Sequence, residues 1–351
     1  MTSVSAACDA AGAGEVDEYA GPNPCVSVIM ANYNGARYLA DAIDSVRHQT
    51  LANLELLVCD DASTDESVTI AERYAAADGR IKLLRSETNA GPAAARNRGL
   101  AAASGSWLAI MDSDDIMHPA RLRTLIANAA RDGAGIAADD LIVFYQDHAR
   151  RSHGLLPRAY TQEPFWVDLA GFIRSNVFYS KGAGLGYLKP IICADLLRQT
   201  SCRYDETLSI GEDYDFVLRL LIGGLKYRVY PRQLYFYRKH GASISHRLSS
   251  KAANAMLDAD RRFRGKLDEA STEVRAAFEA RSKSIETVLA FNSLIEALKS
   301  HNFAEAAGRI LRRPKLLLLL REPALAWFGR IRARRRSPVV LGNRPLGKAV
   351  K

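Results

Sequence analysis

No CxxC pair, no metal-ligand cysteine spacing and no even cysteine count occur in these 351 residues. Cys8, Cys25, Cys59, Cys193 and Cys202 lie far apart. That argues against a disulfide framework and fits buried, reduced thiols in a cytosolic protein. No run approaches the roughly 18 apolar residues of a membrane span. Leu316 to Leu320 is only a short apolar patch, closed by Arg321 and Glu322. The N-terminus lacks a basic stretch followed by an apolar one, so no Sec signal is expected. There is no Walker sequence and no GxGxxG after a strand, which removes the common nucleotide cradles. Internal repeats and low-complexity runs are missing as well.

What remains is an ordinary globular composition, 48% hydrophobic, long enough for one large α/β domain and something smaller. Charge is uneven. The net charge is +9, yet from Arg309 onward thirteen lysines and arginines meet one acid, Glu322, a local +12 that leaves a body of −3. The tail, and not the body, is the part expected to meet a polyanion.

Residues 1–23 are rich in Ala and Gly and read as a disordered leader. A regular beat then begins. Strands are expected at Val26–Ala31, Leu54–Cys59, Ile81–Leu84 and Trp107–Met111. Helices are expected at Tyr38–Gln49, at Ser63–Ala77 with a Ser63/Glu66 capping box, at Ala93–Ala103, and from Pro119. Such alternation predicts βαβ units and a mostly parallel sheet. Beyond residue 150 the beat gives way to aromatics and the glycines of Lys181–Gly186, a composition suited to functional loops. A helix is expected over Asp213–Leu221, an edge strand over Leu234–Arg238, and helices from about residue 250.

Chemistry concentrates where strands end. Asp112-Ser113-Asp114-Asp115 places three carboxylates in four residues after an apolar strand, at the sheet edge where α/β proteins bind ligands. Carboxylates so close repel one another, and a hard divalent cation relieves that repulsion. A solvated acidic turn is the plainer alternative. The first strand leads to Asn32-Tyr33-Asn34-Gly35, where a tyrosine could stack on a base or the block could simply form a strand-to-helix turn. The second leads to Asp60-Asp61, where a carboxylate could accept from an imide N–H or merely cap a helix. The third leads to a Gly91-Pro92 helix start carrying Arg96 and Arg98, either of which could offer a guanidinium fork to phosphate or simply face solvent.

Taken together, the blocks VSVIMANYNGARYL, ELLVCDDASTD, NAGPAAARNRGL and WLAIMDSDDIMHPARL resemble an inverting glycosyltransferase of family 2 with the GT-A fold, supported further on by GEDYDF and YRKHGASISH. The order of several blocks carries the resemblance, over roughly residues 25–247; no single block would. It implies a Rossmann-like, mostly parallel sheet in a domain over 24–248, with a nucleotide-sugar half (24–130) and an acceptor half (131–248). A helical extension with a basic tail would fill 249–351. The resemblance also implies residue roles. Tyr33 would stack on the base, Asp61 bind uracil, and Asp114 contact the ribose. Asp115 would hold Mn²⁺ or Mg²⁺, with Asp112 and Asp114 as the alternative metal pair. Arg96 would approach the diphosphate, and His240, with His246 as backup, would add a metal or phosphate contact. Asp213 would be the general base beside Glu212, taking the proton of an attacking sugar hydroxyl.

The implied donor is a UDP-sugar and the implied acceptor a lipid-linked oligosaccharide in exopolysaccharide or surface-glycan synthesis. Rival expectations are a sugar nucleotidyltransferase-like enzyme, whose Gly-rich N-terminal signature is missing here, and a non-catalytic glycan- or membrane-binding scaffold. Intact acids at 61, 112, 114, 115 and 213 argue against the latter. Leu311, Leu316–Leu320, Leu325, Trp327, Phe328 and Ile331 interspersed with Arg312, Arg313, Arg330, Arg332 and Arg334–Arg336 fit peripheral contact with an anionic membrane, on its cytoplasmic face. A helix packed on the body is the alternative. No recognition motif accompanies the charge, so nucleic acid is not an expected partner.

Overall fold

The computed structural model describes residues 25–146, 150–180, 184–241, 248–264 and 271–320. The expected leader, His246 and the tail from Arg321 lie outside the described residues. The chain divides between Glu286 and Thr287 into two compact units.

In the first unit, β1 (Val26–Asn32), β2 (Leu54–Asp60), β3 (Ile81–Arg85) and β4 (Trp107–Asp112) alternate with α1 (Ala36–Arg47), α2 (Ser67–Ala77) and α3 (Pro92–Ala102). Seven consecutive residues of β2, and six of the seven in β1, are buried. Strands buried on both faces are what a sheet covered by helices requires. After β4 come β5 (Ile116–Met117), α4 (Arg121–Asp132) and β6 (Ile136–Tyr145). Then follow β7 (His153–Gly154), β8 (Phe165–Val167), α5 (Leu169–Ser175), β9 (Ile191–Cys193), α6 (Ala194–Thr200), α7 (Glu212–Ile222) and β10 (Tyr227–Lys239). The sheet runs β3-β2-β1-β4-β9-β6-β10-β5, with β7 added on β6 and β8 on β10. β3, β2, β1 and β4 are mutually parallel, as is the β6·β10 pair; β9 sits antiparallel between β4 and β6.

Gly99 shows how tightly α3 rides on the sheet. A Cβ there would stand 2.5 Å from Ile29 Cγ2 and 2.9 Å from Cys59 Sγ. Any larger residue would lift the helix that carries Arg96. Helices α8 (Ser250–Arg264) and α9 (Thr272–Lys299) follow β10, and Val274, Ala277 and Phe278 belong to the main core.

Three local expectations are corrected. The Ser63/Glu66 capping box does not form: α2 starts at Ser67, and Ser63 Oγ accepts instead from Asn34 N (2.9 Å) and Asn32 Nδ2 (3.2 Å). A tertiary partner has outcompeted the local one. The helix expected from Pro119 begins at Arg121. Leu234–Arg238 is no edge strand but the middle of the 13-residue β10, paired with β6 on one side and with β5 and β8 on the other. Register slips between Tyr230 and Gln233, around Pro231, and again before Tyr235. Proline cannot donate to a ladder, so a bulge is its place within a sheet.

In the second unit, Leu294, Ala297, Ala306 and Leu316 form a small buried cluster from the end of α9, α10 (Phe303–Arg312) and α11 (Leu316–Leu319). Asn302 opens α10 by accepting from Glu305 N at 3.2 Å. Among the described residues no helix is long and apolar enough to cross a membrane. Cys25, Cys59, Cys193 and Cys202 are free and buried.

Candidate active site

Parallel register brings the strand ends together. Asn32 of β1 pairs with Asp60 of β2, and Ala31 with Asp112 of β4. Tyr33 therefore follows the strand next to the acid turn, and Asp61 follows the strand beyond it. The Tyr33 ring is half exposed beside Asn34, whose backbone takes a left-handed φ of 50°. Asn34 Oδ1 accepts from Thr64 N at 2.8 Å, which locks the β1 and β2 loops to each other.

Asp61 is buried. Its Oδ2 accepts from Ala90 N (3.0 Å) and Gly91 N (2.7 Å), the backbone that starts α3. Its Oδ1 is buried with no hydrogen-bond donor, and Arg98 Nη2 stands 3.7 Å away. A buried acceptor left open costs on the order of 1–3 kcal/mol, so it marks a place where a ligand donor fits.

The acid turn is organised by β10. Tyr235 O–H donates to Asp115 Oδ2 (2.7 Å) and accepts from Asp112 N (3.3 Å). Arg238 donates its backbone N–H to Asp115 Oδ1 (2.8 Å) and its Nε–H to the Asp114 carbonyl (2.7 Å). His240, just past β10, places Nε2 2.9 Å from Asp114 Oδ2. Asp112, Asp114 and Asp115 offer oxygens within 4.8 Å of one another. Burial, and then repulsion from the neighbouring aspartates, pushes Asp115 well above the usual carboxylate range. Burial and Asp112 also raise Asp114, against the pull of His240. Hard oxygen donors whose crowding disfavours their own ionisation fit a divalent cation such as Mg²⁺ or Mn²⁺. Asp115 is the most enclosed of the three, with both oxygens already engaged.

A second network adjoins the first through Asp112. Arg96, 3% exposed, donates from Nη2 to Asp112 Oδ1 (2.7 Å) and from Nη1 to Glu212 Oε1 (2.7 Å), with Asp213 Oδ1 at 3.4 Å. Lys189, also buried, reaches Asp112 Oδ2 at 2.7 Å and Asp213 Oδ2 at 2.8 Å. Burial works against ionisation of Asp112, yet Lys189 and Arg96 outweigh it and hold the group below its ordinary range. Glu212 is raised, by burial first and by Asp213 second, although Arg96 opposes both. Gly211, at φ 85°, turns the chain so that Glu212 and Asp213 open α7, where the helix dipole favours acids.

All the expected side chains among the described residues thus fall at one edge of the sheet. Asp114, Asp115 and His240 meet in one cluster, Arg96, Glu212 and Asp213 in another, and Asp112 belongs to both. Sequence reasoning missed Lys189, Tyr235 and the role of Arg238. A lone lysine after a glycine-rich loop carries no motif, whereas Arg238 lies inside the YRKHGASISH block and was within reach. Cavities of about 610 and 660 Å³ lie around Ser201, Arg219 and Phe263, and none of the expected site residues lines them. Convergent polar groups, and not volume, locate the site.

The profile of Glycosyl transferase family 2 matches residues 27–192. The chain is 35% identical over 313 residues to the succinoglycan biosynthesis protein ExoO of Rhizobium meliloti (strain 1021), covering 89% of this chain and 88% of that protein. It is 30% identical over 294 residues to ExoU of the same organism, covering 83% and 84%. Among solved structures, S. aureus TarS 1–349 in complex with UDP-GlcNAc aligns with a TM-score of 0.57 at 21% identity, over 78% of this chain and 72% of that one. The mannosyltransferase PcManGT from Pyrobaculum calidifontis, in complex with GDP-Man and Mn²⁺, aligns with a TM-score of 0.52 at 18% identity, over 83% and 82%. The fold is GT-A, and the chain belongs to glycosyl transferase family 2.

Proposed function

We propose that this protein moves a sugar from a nucleotide-sugar donor, a UDP-sugar, to a hydroxyl of a lipid-linked oligosaccharide, with inversion at the anomeric carbon, in exopolysaccharide or surface-glycan synthesis. Two relatives named for succinoglycan biosynthesis and a neighbour holding UDP-GlcNAc support the donor and the pathway class. The single observation that carries the mechanism is a pair of buried carboxylate oxygens that lack a hydrogen-bond donor. Among the described residues, Asp61 Oδ1 and Asp213 Oδ1 are the only solvent-shielded aspartate oxygens without a hydrogen-bond donor. An imide N–H would fill the first and an acceptor hydroxyl the second.

In this mechanism Tyr33 stacks on the base and Asp61 reads its imide edge. Asp114 contacts the ribose. Asp115, Asp114 and His240 hold the cation, with Asp112 and Asp114 as the other pairing. When bound there, Mn²⁺ or Mg²⁺ supplies positive charge to the departing diphosphate. Arg96 adds a fixed charge on the same side; its buried Nε is still without an acceptor. Asp213 takes the proton from the acceptor hydroxyl as that oxygen bonds to the anomeric carbon, and the nucleoside diphosphate leaves with the electron pair of the broken bond.

We place the enzyme in the cytoplasm, peripheral on the inner face of the membrane. The basic tail supports this, as do the 80% and 77% exposed Leu311 and Leu318 beside Arg312, Arg313 and Lys315. The test is nucleotide release from UDP- and GDP-sugars, with Mn²⁺, with Mg²⁺ and with chelator. A UDP-sugar should be turned over only with metal; release that is equal in chelator would remove the cation from the mechanism.

A further inference from the structure

No motif announced Lys189, and its surroundings hold it in place. Its backbone carbonyl accepts from Arg121 Nη2. Arg121 is itself fully buried and pinned by Asp139 at 2.8 Å. The next carbonyl, of Pro190, accepts from Ile110 N of β4 at 3.3 Å, and Ile191 begins β9 against Ala109. The lysine is thereby held beside the strand that delivers Asp112. Its ammonium bridges one oxygen of Asp112 and one of Asp213, residues from opposite halves of the site. A compact point charge with three donors can serve two carboxylates at once.

We propose that Lys189 is the positioning residue for the transfer step: by clamping Asp213 Oδ2 to Asp112 Oδ2, it fixes the rotamer of the base and leaves Oδ1 of Asp213 as the atom that takes the acceptor proton. This rests on the reading of Asp213 as the base. The two oxygens of Asp213 are unlike in the way this requires. Oδ2 is bonded to Lys189 at 2.8 Å, while Oδ1 has no hydrogen-bond donor and only the 3.4 Å approach of Arg96. Without the ammonium, Asp213 would lose its anchor and face Asp112 with Arg96 as the remaining countercharge. Lys189 exchanges no proton in the reaction; the proton passes from the acceptor hydroxyl to Asp213 Oδ1 alone.

The test uses the full chain with Mn²⁺. The donor is whichever of UDP-glucose, UDP-galactose and UDP-N-acetylglucosamine the wild type turns over fastest, and the acceptor is octyl glucoside. Lys189→Met should lower kcat by about 10- to 100-fold, part of the ~10²–10⁴ that a positioned base contributes, with a smaller change in donor KM. Lys189→Arg should recover part of kcat. In an Asp213→Asn background, Lys189→Met should add less than about twofold, because the two residues act as one unit. Losses that multiply in the double variant, or a wild-type kcat in Lys189→Met, would overturn the proposal. Near-normal kcat in Asp213→Asn alone would overturn the reading of the base instead. Should Lys189→Met fail to give a cooperative melt, Lys189→Gln enters the same cycle and decides by the same two outcomes.

Discussion

Removing Arg96 should cost more stability than any other single change at the site. Arg96→Met deletes two 2.7 Å ion-pair hydrogen bonds made by a side chain that is 4% exposed. Breaking a buried pair from one side costs about 3–5 kcal/mol, because a charge is left without its partner. The lower end applies here. Asp112 keeps Lys189. Glu212, already raised by burial and by Asp213, can escape by taking up a proton. About 3 kcal/mol in a unit of this size lowers Tm by roughly 5 °C. The pH dependence has a definite sign. An acid whose folded pKa lies above its unfolded value binds more protons when folded, so its contribution improves as pH falls. The deficit of Arg96→Met against wild type should therefore shrink from neutral pH toward pH 5. Arg96→Met/Glu212→Gln should regain part of it, since the stranded carboxylate is gone. Urea unfolding at several pH values measures all three. A deficit under about 1 kcal/mol, flat with pH, would mean that these carboxylates are solvated and the network is not a buried one.

Asp213→Asn should keep UDP affinity but lose turnover by ~10²–10⁴-fold, with near-normal turnover passing the base role to another acid. Asp115→Asn should abolish most of the Mn²⁺-dependent gain in UDP affinity seen by calorimetry; an unchanged gain would leave the ion to Asp112 and Asp114. Glu55 accepts from Ser27, Ser104 and Lys82; burial opposes its ionisation, but those bonds win and hold it at about 2. Its stabilisation is full above the ordinary value near 4.5 and lost as pH falls toward 2, so Glu55→Gln should narrow its gap to wild type across that window. Deleting 321–351, which removes nine basic residues and one acid, should weaken binding to anionic liposomes in a salt-sensitive way. Equal binding by the truncated chain would assign the tail to packing instead.

Much of the fold was legible because its signals are local. Apolar runs at β1, β2 and β4 mark buried strands, and the acids that follow them mark the sheet edge. What escaped depends on contacts distant in sequence. Ser63 reads as a helix cap until Asn34, 29 residues away, takes its hydroxyl. β10 reads as a short edge strand because Pro231 breaks its pattern, yet bulges carry it through the sheet. β9 has three residues, too few for any periodicity, and it delivers Lys189. The acids at 112–115 announced themselves by spacing. Their order of burial did not, because Tyr235 and Arg238 set it from more than 100 residues away.

Inversion is read by NMR from the anomeric configuration of the transferred sugar, through the coupling at its anomeric proton. With Asp213 taking the acceptor proton, as proposed, and attack from the face opposite the diphosphate, an α-linked UDP-sugar should give a β-linked product. An α-linked product would contradict the single displacement and the role of Asp213 with it.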